Sequence, residues 1–435
     1  MRIMLINPQT PIDHPKVITL GPLYIGASLE KHGHDVKCID MQAVKLSDEH
    51  ILKEVEKWQS DIVGFSCYYL SYPYALRIAS KIKEKHPDIK IVFGGPHPSF
   101  KPGSAVSEEA VDYVVIGEGE LTLPELVAAI ENGGRLNKIH GIAYKSDGEI
   151  KLTPSRAVIE DLDSTAHPAW HLLDRKAIQS GVCGTIVTSR GCPFNCIFCS
   201  TSAFHGHKMR FHSVDWIIEE FDVVSSLFSR IMIGDDHFTI KKHRILKICE
   251  KLKEKGIETN FWAETRVDAV DYEIVRALKR AGCTDLCFGV ESAEERILKT
   301  VGKKITVEQA KKAIRIVEEA GIEGSASFIV GLPGQTKESV MESTLKFVVE
   351  TEPTEVVSNI LMLCPGAPIY EEPEKYGVKV LGKSQFLTPF CTETMTWEDI
   401  TNTYDELNES LVVLSLIKEK PKRLHRFILT EDSSI

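Results

Sequence analysis

Arg190-Gly191-Cys192-Pro193-Phe194-Asn195-Cys196-Ile197-Phe198-Cys199 directly follows a short apolar, β-branched run at 185–188. Its cysteines are spaced C-x3-C-x2-C. Thiolates ligate both zinc and iron–sulfur clusters, but a closed zinc site takes four ligands. No second C-x2-C and no H-x3-H pair follows nearby. Three thiolates on one short loop can hold three irons of a [4Fe–4S] cubane, which leaves the fourth iron open to a small molecule. An open coordination site implies chemistry. Cys283 and Cys287 share the C-x3-C spacing, but the first is read as ending a helix and the second as lying within a strand, so both are expected to be core thiols. Cys38, Cys249, Cys364 and Cys391 have no partner at ligand spacing.

Around this loop, residues 183–365 alternate apolar runs with amphipathic stretches. Strands are expected at 185–188, 231–233, 260–263, 285–289, 326–330 and 356–363, and helices at 214–226, 243–255, 273–281, 307–320 and 339–349. Six strands alternating with helices predict a (β/α)6 partial TIM barrel with its site at the carboxyl ends of the strands. Residues 366–435 form a small C-terminal region whose helix at 397–417 carries Trp397 and Tyr404, as a lid over the barrel or as core. Upstream, residues 146–182 contain Pro154, Pro168 and little periodicity, and read as a surface linker.

Residues 1–145 repeat the alternation, with strands expected at 3–6, 36–39, 62–66, 89–93 and 113–116 and helices at 23–31, 48–58, 74–86 and 123–131. This is the pattern of an α/β, doubly wound, Rossmann-like domain, which binds ligands beyond the carboxyl ends of its strands. Asn7-Pro8-Gln9-Thr10 after the first strand lacks G-x-G-x-x-G, which argues against a dinucleotide. Gly94-Gly95-Pro96-His97 and Gly117-Glu118-Gly119-Glu120 follow the fourth and fifth strands, where missing side chains admit a bulky ligand or simply make tight turns.

The 435 residues, 43% hydrophobic and 26% charged, supply a large core and rule out a small binding module. A net charge of -10, spread along the chain, gives no footprint for nucleic acid. No stretch is apolar enough for a membrane span and the start does not read as a signal peptide, so a cytoplasmic location is expected. Eleven cysteines then read as buried thiols and metal ligands rather than a disulfide framework.

The cysteine loop, with aromatic Phe198 before the third cysteine, resembles the radical S-adenosylmethionine (SAM) superfamily. That resemblance implies that Cys192, Cys196 and Cys199 hold a [4Fe–4S] cluster whose open iron binds SAM. In the same family order, it assigns SAM contacts to Phe198, Asp235 and Asp236 after the second barrel strand, Arg266 after the third, Glu291 and Ser292 after the fourth, and Gly331 in an adenine-side loop. Capping of the next helix is a comparable reading of the acidic pair.

The preceding doubly wound domain resembles that of the cobalamin-binding radical SAM subfamily, through Leu20-Gly21-Pro22-Leu23, Gly64-Phe65-Ser66 and the two glycine motifs. This implies cobalamin contacts at Ser66, Tyr68, Tyr69, Gly94, Gly95, Gly117, Glu118, Gly119 and Glu120, with Tyr72 also near the third strand. The D-x-H-x-x-G motif that supplies a lower cobalt ligand elsewhere is absent, so base-off cobalamin without histidine is expected.

The activity implied is a C-methyltransferase of class B: a 5′-deoxyadenosyl radical abstracts hydrogen from an unactivated carbon, and methylcobalamin supplies the methyl group. A cyclase or ring-contracting enzyme with the same cofactors is the alternative, and a cobalamin carrier or sensor is the alternative of another class. A transfer-RNA methylthiotransferase is disfavoured, since only Cys38 and Cys67 precede Cys183. Expected partners are a small-molecule or protein substrate, such as a side chain of methyl-coenzyme M reductase, and an electron donor such as ferredoxin or flavodoxin.

Overall fold

The computed structural model describes residues 1–11, 17–382, 384, 387–417 and 423–426. It contains two compact units. One comprises Met1–Thr185 with Phe204–Gly206; the other runs from Ile186 to Ala203 and onward from His207.

The first unit is a seven-stranded sheet in the order β2-β1-β3-β4-β5-β6-β7. Strands β1 (Arg2–Asn7), β2 (Asp35–Asp40), β3 (Ile62–Ser66), β4 (Lys90–Gly94) and β5 (Tyr113–Val115) are parallel. Their near-continuous apolar runs are buried, as expected of strands covered on both faces. Helices α1 (Gly21–Lys31), α2 (Asp48–Trp58), α3 (Tyr72–Lys85) and α6 (Gly119–Asn132) alternate with them. In α2 the Ser47 side chain caps His50 N, Asp48 and Glu49 sit in the first turn, and Ile51, Leu52 and Val55 are buried. Two short helices, α4 (Pro96–Phe100) and α5 (Pro102–Ser107), fill the stretch between β4 and β5.

The sheet runs further than the sequence reading placed it. Strands β6 (Ile142–Ser146) and β7 (Glu149–Leu152) add an antiparallel hairpin beyond β5, so the start of the expected 146–182 linker is part of the sheet. β7 is largely exposed and carries no apolar periodicity, which hid it. Short helix α7 (Arg175–Gln179) follows.

The second unit contains the expected parallel sheet in sequential order: β8 (Gly184–Ile186), β11 (Ile231–Ile233), β12 (Phe261–Thr265), β13 (Cys283–Glu291), β14 (Glu323–Val330) and β15 (Glu355–Ile360). Between them lie α9 (Val214–Leu227), α10 (Lys242–Glu254), α11 (Tyr272–Arg280), α12 (Glu295–Thr300), α13 (Val307–Glu319) and α14 (Lys337–Thr351). A small ribbon, β9 (Ser189–Arg190) with β10 (Arg210–Phe211), brackets the cysteine loop and α8 (Thr201–Phe204). Beyond α15 (Pro368–Glu371) and the ribbon β16 (Val378–Val380) with β17 (Phe390–Thr392), helix α16 (Trp397–Ile417) leads to β18 (Arg423–Arg426), which pairs parallel to β15.

The expected C-terminal region therefore completes the sixth βα repeat with α16 and adds β18 as a seventh strand. Helix α16 buries Ile400, Leu407 and Leu411, and Ser358 Oγ donates to Asn408 Oδ1 at 2.7 Å. It packs on the sheet as the other barrel helices do rather than as a lid; Trp397 lies 5.7 Å from the Phe390 ring.

Alternation along the strands assigns their faces. Ala263, Phe288, Phe328 and Val356 are buried beneath the helices, while Glu264, Cys287, Ser325 and Glu355 stand in register on the opposite, inner face. Ser325 Oγ donates to Glu355 Oε2 at 2.7 Å. Cys283 is not the end of a helix but the first residue of β13, where it is buried as expected; Cys287 faces the barrel interior instead of the core.

Candidate active site

The cysteine loop leaves β9 at the carboxyl end of the barrel sheet. Cys196 is buried and Cys192 and Cys199 are half-buried; a turn closes with Cys199 N donating to Cys196 O at 3.1 Å. Burial pushes the Cys196 thiol up to about 11, opposed chiefly by the Lys303 ammonium, and burial likewise raises Cys192.

Asp235 and Asp236 hold this loop in place. Buried Asp235 accepts from Thr188 N at 2.5 Å, Ser189 N at 3.1 Å and Ser189 Oγ at 2.6 Å, and from the Thr188 hydroxyl. Asp236 Oδ2 accepts from Gly191 N at 3.0 Å. Burial raises the pKa of both carboxyls. Neither caps a helix: α10 begins after Lys241. Arg244 on α10 donates to Thr188 O from beneath.

Arg266, expected to contact SAM, pairs with a carboxylate of its own chain. Its guanidinium makes two 2.9 Å hydrogen bonds to Asp268 and lies 3.7 Å from the Phe194 ring centroid in the cysteine loop. Glu291 ends β13 with φ +67, at a register shift against β14. Its Oε1 accepts from Lys303 Nζ at 2.7 Å in a buried pair. Gly289 leaves room for that pair, since a Cβ there would stand 2.5 Å from Glu291 Oε1 and make the pair shift. Ser292 Oγ accepts from Glu294 N at 3.2 Å.

Gly331 (φ +92) opens the loop after β14, and buried Gln335 ties it down. Gln335 Oε1 accepts from Gly331 N and Leu332 N, both at 2.9 Å, and its Nε2 donates to Ile329 O at 3.0 Å. Sequence reasoning passed over Gln335 and Lys303. Gln335 lies four residues after Gly331, at the end of the run Gly331-Leu332-Pro333-Gly334, and was discoverable; Lys303 lies in an ordinary polar turn and carried no signal.

In the first unit the two glycine motifs converge. Ser99 Oγ donates to Gly95 O at 2.7 Å and accepts from Gly117 N at 2.9 Å. A narrow apolar slot opens between the sheet and helices α1 and α6, lined by Ile25, Gly64, Ser66, Gly94, Gly117 and Gly119. Gly95 (φ +91) packs against the backbone of Cys67, where a Cβ would meet the carbonyl oxygen at 2.8 Å. Glu118 Oε2 accepts from Ile159 N at 2.7 Å, and Glu120 is buried at the start of α6. Tyr68 is exposed, while the Tyr69 and Tyr72 rings lie 5.8 and 4.4 Å from that of His97.

Comparison with known proteins agrees with this division. The family profile "Radical SAM superfamily" matches residues 186–347 and "B12 binding domain" matches residues 14–127. An uncharacterized methyltransferase of Pyrococcus horikoshii is 36% identical over 380 residues, covering 85% of this chain and 83% of its own. The anaerobic magnesium-protoporphyrin IX monomethyl ester cyclase of Rubrivivax gelatinosus is 29% identical over 408 residues, 89% of this chain and 73% of its own. Among solved structures, the radical SAM methyltransferase TsrM from Kitasatospora setae, with cobalamin and a [4Fe–4S] cluster bound, aligns with a TM-score of 0.79 at 18% identity, covering 100% of this chain and 92% of that one.

The residues present fit these groups. Among the described residues no three His, Cys, Asp or Glu side chains converge to hold a single metal ion. A cubane does not require convergence, because each thiolate bonds a different iron. The slot beside Gly94 and Gly117 is apolar, and five of the residues lining it, Gly64, Gly94, Gly95, Gly117 and Gly119, carry no side chain, which suits the flat aromatic tail of a base-off cobalamin.

Proposed function

The chain is a member of the radical SAM superfamily that carries a B12-binding domain, and from that premise we propose a cobalamin-dependent C-methyltransferase acting on an unactivated carbon. The observation that carries this reading is the 36% identity, across 85% of the chain, to the Pyrococcus methyltransferase. The cofactors are a [4Fe–4S] cluster, SAM and cobalamin. When bound, the cluster and SAM supply a carbon-centred radical and cobalamin carries the methyl group.

The chain's own part is to hold and orient. Cys192, Cys196 and Cys199 ligate the cluster, and Asp235 and Asp236 fix the loop that bears them. Phe198, Arg266, Glu291, Ser292 and Gly331 form the rim assigned to SAM. The Gly94 and Gly117 loops receive cobalamin, with Ser66, Tyr68, Tyr69, Gly95, Glu118, Gly119 and Glu120 around them.

As acceptor we infer a carbon of a protein side chain, methyl-coenzyme M reductase being the example the sequence resemblance offers. A cytoplasmic ferredoxin or flavodoxin completes the reaction as electron donor. The 29% identity to the anaerobic cyclase supports a second reading, cyclisation without methyl transfer.

Product accounting separates the two. Incubation of the reconstituted enzyme with host extract, reductant and methyl-labelled SAM is expected to give 5′-deoxyadenosine and S-adenosylhomocysteine in near-equal amounts, with label on carbon. Separating labelled protein from labelled metabolite tests the acceptor class. Deoxyadenosine without coupled S-adenosylhomocysteine or label would put the cyclase ahead.

A further inference from the structure

Lys303 belongs to no motif, yet its side chain is only 9% exposed. Burying an ammonium costs several kcal/mol unless it is paired. Glu291 provides the pairing at 2.7 Å, and the backbone fixes where the pair sits. The turn that carries Lys303 is strapped to the cysteine loop: Ile197 N, one residue after Cys196, donates to Val301 O at 3.1 Å. Gly302 (φ +69) lies so close to this loop that a Cβ would be 3.3 Å from Asn195 O. Lys303 Nζ stands 6.0 Å from the Phe198 ring centroid, beside the third cysteine.

The ion pair is neutral as a whole but not in its field. Its cationic end, Lys303 Nζ, is the atom that lies 6.0 Å from the Phe198 ring in the cysteine loop. Burial works against the charged form of Lys303, but Glu291 more than offsets this and holds its pKa above the ordinary lysine value.

We propose that Lys303 sets the reduction potential of the cluster held by Cys192, Cys196 and Cys199, with Glu291 as the residue that positions it. Reduction brings one electron from an external low-potential carrier onto the cluster, with no bond made or broken in the protein. A fixed cation in a poorly screened site stabilises that added negative charge and raises the potential. Lys303 acts here through charge rather than ligation.

The test uses the full chain, reconstituted anaerobically with iron and sulfide, without SAM or substrate, so its outcome is independent of the methyl-transfer reading. Dithionite titration against mediators is followed by electron paramagnetic resonance, with iron counted in parallel. Lys303→Gln is expected to keep about four irons, as one cubane requires, with its potential moved down; Glu291→Gln should move it up. Lys303→Arg should restore the wild-type value, and the double Gln variant should fall between the two single ones. A merely structural role would change iron content without opposite shifts. Full iron at the wild-type potential in both single variants, or shifts of the same sign, overturns the proposal. If Lys303→Gln loses its cluster, Glu291→Gln and Lys303→Arg decide: an upward shift in the first with a wild-type value in the second supports it, and any other result rejects it.

Discussion

Gly94 and Gly95 are neighbours in sequence, but a side chain added at each would meet different surroundings. At Gly94 a Cβ makes only ordinary contacts, 3.8 Å from Val115 O, while filling the slot assigned to cobalamin. At Gly95 it would collide with the Cys67 backbone in a backbone conformation that side chains rarely adopt. Gly94→Val is therefore the informative change: cobalamin binding, measured by absorbance after gel filtration, should fall at least tenfold with thermal stability nearly unchanged. Undiminished binding would remove the slot from the cobalamin site. His97, in the first turn of α4 just after these glycines, gives a pH signature. Its Nδ1 is buried and has no hydrogen-bond partner among the described residues; burial, with Lys101 adding, lowers its pKa to about 4. The unfolded chain, with a histidine value near 6.5, binds the proton first, so the stability present above about 6.5 is lost as pH falls toward 4, at most about 1.4 kcal/mol per pH unit. Relative to His97→Gln, wild type should lose urea resistance between pH 7 and 5. A gap that stays constant would show that the ring is protonated equally in both states.

At the scale of elements, the join between β8 and β9 depends on one carboxylate. Asp235 accepts four hydrogen bonds at this join. Asp235→Ala leaves buried donors without an acceptor and should cost about 3 kcal/mol of stability, with cluster iron lost more readily during gel filtration. Asp235→Asn keeps one acceptor oxygen and should cost less. If Asp235→Ala instead weakened SAM binding at unchanged melting temperature, the residue would be a SAM contact, as its place in the motif order implied. This case shows what the sequence can and cannot reveal. The position after the second barrel strand was legible from the run Ile231-Met232-Ile233, and so was the presence of paired acids. Which way each carboxylate turns depends on Thr188 and Ser189, 46 or 47 residues earlier in the chain, and no local pattern encodes that. The same physics separates the legible strands from the others: β1 to β5 bury continuous apolar runs, whereas β7 pairs through its backbone with polar, exposed side chains. The Lys303 pairing with Glu291 spans two turns and a helix, so neither residue announces the other.

For the whole molecule, the division into two compact units predicts how cofactor loading responds to mutation. The ligands assigned to the cluster all lie in the unit that begins at Ile186, and the glycine motifs assigned to cobalamin all lie in Met1–Thr185. Sites with no shared side chains should be affected independently by substitution. Cys192, Cys196 and Cys199 changed together to Ala should abolish iron while cobalamin affinity stays within twofold of wild type. Cys283→Ala, which shortens a buried side chain at the start of β13, should retain the iron. Gly94→Val should do the reverse of the triple change, with full iron and little cobalamin. Combining the triple cysteine change with Gly94→Val should give both losses with no excess, read by iron assay and by absorbance on the same anaerobic sample. Loss of cobalamin in the triple variant alone, with the fold intact by circular dichroism, would mean that the cluster loop takes part in binding cobalamin, and the assignment of one cofactor to each unit would have to be abandoned.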